Sequence, residues 1–248
     1  MSIQLSKVCL KRGDKPVLNE LSCRLSKNRV TGIVGPNGSG KSSLLRALYG
    51  YLPLHSGSIE IEEKPLPKWS PEALAVQLGV CPQEAEPSLD FRVDQVLALP
   101  FGGRQQVVRE RSAGLVFLGL EELLGRHLSQ LSGGERQRVR LGMALLRETP
   151  WLILDEPANH LDLATAWSLM EYLLRPRAGG VVMALHDLTT AARCCQHLVV
   201  LNQGEGIAQG APREVLTPEL LGQVFRLNGE FDWEADPVNL KISGVEVR

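Results

Sequence analysis

Gly35-Pro36-Asn37-Gly38-Ser39-Gly40-Lys41-Ser42 fits the pattern G-x-x-x-x-G-K-[ST] at every required position. The chemistry such a run supports is phosphate binding. Glycines let backbone N–H groups converge on an anion without Cβ obstruction. A helix starting near Gly40 adds the positive end of its dipole. In such a loop the lysine, here Lys41, reaches the β- and γ-phosphates and the hydroxyl of Ser42 binds Mg²⁺. Ser43 offers a further donor. The competing reading is a glycine-rich turn with a chance lysine. It is disfavoured by the context, a buried strand before the loop and an amphipathic helix after it.

A second chemical group lies in "WLILDEP", four apolar residues followed by Asp155, Glu156 and Pro157. The apolar run suits a strand buried on both faces, and ligands of such sheets bind beyond the carboxyl ends of the strands. Asp155 suits Mg²⁺ through water, because that ion keeps much of its hydration shell. Glu156 is placed to orient or deprotonate an attacking water. His186 ends another apolar run and reads as a γ-phosphate sensor, or as a structural strand-end histidine. Gln83 either caps a loop or touches the metal and the attacking water. Ser132-Gly133-Gly134, followed by Glu135, either opens a helix as an ordinary capping box or offers a weaker anion clamp without a lysine.

The elements that must position these groups follow from periodicity. "SIQLSKVCL" and "VLNELSCRLS" alternate as two antiparallel, half-buried strands. A short buried strand precedes the phosphate loop, and "KSSLLRALYGYL" has helical spacing. "GSIEIEE" reads as a strand, and "LAVQLGVCPQ" as a helix end entering a strand. From about Glu84 to Pro150 the pattern is helical throughout. Strand and helix then alternate through "WLILDEP", "LATAWSLMEYLL", "GVVMALHD", "LTTAARCC" and "HLVVLNQG". "PREVLTPELLGQVF" predicts two short helices, and the tail from Asn228 to Arg248 carries little signal. The class is α/β, a mainly parallel sheet with a helical insertion.

Composition sets outer bounds. The chain has 248 residues, 44% of them hydrophobic, enough for a substantial core. A net charge of −1 gives no basic field that would point to nucleic acid. No apolar run approaches the roughly 18 residues that span a bilayer, and the N-terminus lacks a signal-peptide stretch. A soluble, cytoplasmic protein is expected. Five scattered cysteines match neither a disulfide framework nor a zinc site, and adjacent Cys194 and Cys195 read as small apolar residues on a helix.

Together, the phosphate loop, Gln83, "LSGGE", Asp155-Glu156 and His186 resemble, in type and order, the ATP-binding-cassette (ABC) ATPases, over roughly Ser2 to Phe225. The resemblance implies a P-loop core with antiparallel strands over 1–83 and 151–227, a helical signature subdomain over 84–150, and a tail over 228–248. It implies ATP and Mg²⁺ as cofactors, the metal at Ser42, Gln83 and Asp155, and catalysis by Glu156, His186 and Gln83. It implies a head-to-tail dimer in which Ser132, Gly133 and Gly134 contact ATP held by a second copy of the chain. Asp162, in "ANHLD", matches the aspartate of a loop crossing the dimer centre. Asn159-His160 resembles the version common in soluble translation-factor ATPases. One departure stands near Arg12, where the family usually has an adenine-stacking aromatic. Arg12 is expected to stack its guanidinium on the base instead.

The stretch from Ala184 to Phe225 resembles the branch serving iron–siderophore, haem and cobalamin importers. That likeness implies a transmembrane permease dimer as partner and, indirectly, a periplasmic or lipid-anchored binding protein. It places the chain at the cytoplasmic face of the inner membrane. Alternatives are a soluble ABC ATPase acting on ribosomes or DNA, an ATPase of an exporter or lipid-extraction complex, and a non-hydrolysing nucleotide-binding module.

Overall fold

Strict alternation builds the first sheet. In the computed structural model, which describes residues 2–83, 90–176 and 179–245 (side chains at 113 and 114 excepted), β1 (Ser2–Arg12) pairs antiparallel with β2 (Lys15–Ser26). Ile3, Leu5, Val8 and Leu10 face inward from β1; Leu18, Leu21, Cys23 and Leu25 face inward from β2. The start of the expected helical insertion at Glu84 and the end of the tail lie outside the described residues. After β3 (Val30–Val34) and helix α1 (Lys41–Leu48), β4 (Ser56–Ile61) and β5 (Lys64–Pro65) complete this sheet in the order β2-β1-β4-β5.

The second sheet holds the chemistry. Helix α2 (Pro71–Gln77) leads into β6 (Leu78–Cys81). Helices α3 (Val93–Ala98), α4 (Gln105–Ser112) and α5 (Gly133–Leu145) follow, then β7 (Trp151–Asp155). The chain closes the sheet with α6 (Leu163–Leu174), β8 (Gly180–Leu185), α7 (Leu188–Cys194), β9 (His197–Asn202) and β10 (Glu205–Gly210). The order is β10-β9-β3-β8-β7-β6, parallel except for the β10 edge. This is the α/β class expected, with a helical segment between β6 and β7.

Each central strand is apolar on both sides because both sides are covered. Trp151, Ile153, Val182, Ala184, Val199 and Leu201 pack with the first sheet and α1. Their neighbours Leu152, Leu154, Val181, Met183, Leu198 and Val200 pack with residues of α3 to α7. One continuous run therefore serves two cores, which explains the loss of polar alternation.

Three elements depart from expectation. β10, "EGIAQG", carries two glycines and exposed side chains, so it lacks a strand pattern, yet it pairs antiparallel with β9. The tail forms a hairpin of β11 (Leu227–Asp232) and β12 (Asn239–Val245). Phe231 is buried beneath it, and Arg193 of α7 donates to the Val238 carbonyl at 2.6 Å. The stretch "RERSAGLVFLGL" does not run as one helix: α4 ends at Ser112, and Leu115 leaves helical geometry in the 3₁₀ segment beyond. Cys23, Cys81, Cys194 and Cys195 are buried free thiols, and burial pushes Cys23 and Cys81 up to about 12. No helix among the described residues is long and apolar enough to cross a membrane.

Candidate functional site

The phosphate loop joins the central strand β3 to α1. Val34 pairs with Leu185 of β8 on one side and Val200 of β9 on the other, so the loop leaves the middle of the sheet's carboxyl edge. Gly40, the N-cap of α1, has φ +106° and no capping side chain, so no side chain fills the N–H groups of the first turn. A Cβ there would lie 2.7 Å from Leu18 Cδ2 and 3.0 Å from the Val17 carbonyl. Glycine is thus required, and its close approach docks the start of β2 against the loop. Ser39 is buried and its Oγ lacks a partner, Ser43 is half-buried, and Asn37 and Gly38 are exposed.

Lys41 is 6% exposed and its Nζ donates to the carbonyls of Gly35 at 2.8 Å and Pro36 at 3.1 Å. Burial lowers its pKa, and the nearby Glu156 and Asp155 oppose that shift. The ammonium is thus held in the loop by neutral acceptors. Phosphate oxygens are stronger, charged acceptors for the same donors.

Ser42 Oγ donates to Asp155 Oδ1 at 3.1 Å. Asp155 is 4% exposed; burial raises its pKa, and the Ser42 hydrogen bond opposes the rise. A buried carboxylate beside a hydroxyl, at an edge open to phosphate, suits a hard cation that keeps several waters. Among the described residues no group of three or more His, Cys, Asp or Glu forms a dedicated cage. That donor set fits Mg²⁺ shared with a phosphate better than a self-contained metal centre.

Glu156 leaves β7 with φ +48°, its N–H on the Ala184 carbonyl at 3.2 Å. Gln83 Nε2 donates to Glu156 Oε2 at 3.1 Å, and Asn159 Nδ2 donates to the same oxygen. Gln83, expected beside the metal, is thus brought to the second carboxylate. His186 lies exposed one residue beyond β8, the strand that pairs with β7.

The serine–glycine segment opens α5. Ser132 Oγ accepts from Glu135 N at 3.3 Å, and Ser132 N donates to Glu135 Oε2 at 2.8 Å, a complete capping box. The serine hydroxyl keeps its own proton for another acceptor. Among the described residues no hydrogen bond joins Ser132, Gly133 or Gly134 to the phosphate loop of the same chain. The segment touches the turn after Glu156 instead: a Cβ at Gly134 would lie 2.7 Å from the His160 carbonyl. Asp162 caps α6, accepting from Thr165 N at 2.9 Å, which holds its carboxyl below the usual range. Arg12 lies exposed at the end of β1, in register with Lys15.

The sequence assigns nothing to Gln137 or Arg140, and Asn159 reads there only as part of a family variant. Gln137, 2% exposed, donates to the Pro157 carbonyl at 2.9 Å, and Arg140 donates to the Gln83 carbonyl at 3.1 Å. A polar side chain on the inward stripe of α5 was the available signal for Gln137. The helix bearing the second glycine segment is thereby tied to both sides of Glu156.

The chain as a whole is similar to known proteins. Residues 18–159 match the family model described as ABC transporter. The hemin import ATP-binding protein HmuV of Shewanella denitrificans (strain OS217) is 39% identical over 241 residues, 92% of this chain and 95% of that protein. The iron(3+)-hydroxamate import ATP-binding protein FhuC of Bacillus subtilis (strain 168) is 32% identical, over 88% and 85% of the two chains. Among solved structures, cbiO1 from Clostridium perfringens, part of the ABC transporter complex cbiONQ, superposes with a TM-score of 0.72. It shares 26% identity and covers 88% of this chain and 92% of its own.

Proposed function

This chain belongs to the ABC transporter family, and we propose that it is the ATP-hydrolysing subunit of an importer that drives uptake of a metal chelate. Haem is the favoured cargo, with iron–siderophore and cobalamin in the same chemical class. The observation that carries the reading is the convergence of Lys41, Ser42, Asp155 and Glu156 on one sheet edge, in a chain whose relatives are named for hemin and iron-hydroxamate import. Those names favour import over the ribosome-directed reading that Asn159-His160 suggested.

The chemistry follows from the placement of the groups. The free N–H groups of α1 and Lys41 hold the triphosphate, with Ser43 as a further donor. Ser42 and Asp155 would hold Mg²⁺, which neutralises phosphate charge when bound. Glu156 accepts the proton of the attacking water, while Gln83 and His186 orient that water and the γ-phosphate. Phosphoryl transfer of this kind depends on positioning and electrostatics rather than covalent catalysis.

The proposed assembly is a head-to-tail pair in which Ser132, Gly133 and Gly134 of one copy close over ATP held by the other. Its two-fold symmetry makes the contacts isologous. Asp162 lies near the centre of that pair. A permease dimer would bind at an apolar groove of about 830 Å³, whose walls include Tyr49, Leu54 and Trp69 on one side and Pro100, Met143 and Arg147 of the helical segment on the other. The chain then sits at the cytoplasmic face of the inner membrane, with a periplasmic or lipid-anchored binding protein delivering cargo beyond it. Affinity purification from membranes tests the reading. Recovery of a multi-span permease, with haem-stimulated ATP hydrolysis once its binding protein is added, supports it. Recovery with ribosomes or DNA contradicts it.

A further inference from the structure

Asn159 occupies a position built to hold another side chain. It lies half-buried in the turn that follows β7, its N–H on the Glu156 carbonyl at 3.1 Å. Two non-glycine residues with left-handed backbones, Glu156 (φ +48°) and His160 (φ +64°), bracket that turn. Such conformations persist only where surrounding contacts over-determine them. The contacts are present: Leu161 N donates to the Ala158 carbonyl at 3.2 Å, Gln137 of α5 holds the Pro157 carbonyl, and Gly134 abuts the His160 carbonyl. The backbone bearing Asn159 is therefore fixed from two sides.

Its amide donates to Glu156 Oε2, the oxygen that also accepts from Gln83. Neither hydrogen bond uses Oε1. The two donors differ in what holds them. Gln83 lies two residues beyond β6 with its side chain exposed and its carbonyl accepting from Arg140 of α5, whereas Asn159 belongs to the same locked turn as Glu156. If Gln83 turns to the metal and the water, Asn159 still holds the carboxylate by one oxygen and leaves the other to receive a proton.

We infer that Asn159 is a positioning residue for hydrolysis, clamping Oε2 of Glu156 so that Oε1 faces the attacking water. The inference rests on the reading of Glu156 as the base. A hydrogen bond to a charged group fixes orientation strongly enough for its loss to slow the reaction by about ten- to a hundredfold.

The test is a double-mutant cycle on purified full-length protein, read by single-turnover ATP hydrolysis and by steady-state kcat and KM. Asn159→Ala should lower kcat by about ten- to a hundredfold with KM for ATP changed less than about twofold. Asn159→Ser, which keeps a shorter donor, should recover part of the loss. In a Glu156→Gln background, Asn159→Ala should change the residual rate by less than about twofold, because its route to the chemistry is already gone. An equal loss in both backgrounds overturns the clamp while leaving the base assignment standing. So does a raised KM with kcat intact. Wild-type hydrolysis by Glu156→Gln alone overturns the base assignment and the clamp together.

Discussion

Ser42 Oγ lies 3.1 Å from Asp155 Oδ1 although 113 residues separate them. The contact exists because β3 and β7 flank β8, so the first residue past the lysine and the last residue of β7 emerge at one edge. It joins a hydroxyl to a carboxylate that burial has stripped of water. The arrangement is therefore unfavourable for the empty chain and favourable once a cation arrives.

That imbalance predicts a stability change. The folded-state pKa of Asp155 is raised above its ordinary value, so the folded chain holds the proton more tightly than the unfolded chain. Stability from this group is full below the ordinary carboxylate range and is lost as pH rises through the raised value. Asp155→Asn keeps an acceptor for Ser42 and removes the charge. Without nucleotide at pH 7.5 it should melt above wild type, by about 2–4 °C for each kcal/mol recovered. The gain should vanish below about pH 4, where the aspartate is protonated. Calorimetry across pH checks both halves.

Glu156→Gln should cut hydrolysis by about 10²–10⁴-fold, the range for a positioned base. ATP binding should persist, because in the proposed scheme α1 and Lys41, not Glu156, hold the triphosphate. Size-exclusion chromatography with Mg–ATP should then show a long-lived dimer that wild type forms only transiently. Normal turnover by the variant would remove Glu156 from its role.

Arg12 should make base recognition loose. An exposed guanidinium stacks on any purine face and reads no exocyclic group. GTP should compete with ATP to within about tenfold, and Arg12→Tyr, which also stacks without reading an exocyclic group, should shift ATP and GTP affinity alike. Strong exclusion of GTP that survives Arg12→Ala would contradict the assignment.

Gln137→Leu should destabilise the chain by about 1–3 kcal/mol, because it leaves the buried Pro157 carbonyl without its donor. It should also lower the ATPase rate, since α5 would lose its hold on the turn carrying Glu156. Thermal unfolding and turnover, measured on one preparation, separate the two effects. A variant as stable and as fast as wild type would show that this hydrogen bond couples nothing.

The parallel sheet was legible because its strands are short apolar runs punctuated by glycine, Asp-Glu-Pro or histidine, and because each run serves two cores. The phosphate loop was legible because its spacing is rigid. What escaped had weak local signal. β10 is glycine-rich and exposed, and its partner β9 supplies the ladder. The β11–β12 hairpin is anchored by Phe231 and Arg193, contacts that no periodicity announces. Asn159 read as a family variant rather than as a ligand of Glu156, because a turn with two left-handed residues has no pattern visible in the sequence. Ser132 was read both as a helix cap and as an anion clamp. The cap is present in the free chain, and its hydroxyl proton leaves the second role chemically open.

The most direct test of the account asks whose phosphate loop meets Ser132. Chains carrying Asn37→Cys are mixed with chains carrying Ser132→Cys, both in a Glu156→Gln, Cys9→Ser background, and oxidised with and without Mg–ATP. A disulfide needs the two Cα atoms within about 7 Å. Two glycine segments serving two different ATP molecules predict a crosslinked heterodimer that depends on nucleotide. An intramolecular crosslink in chains carrying both cysteines, formed at dilutions where no dimer exists, would contradict the scheme.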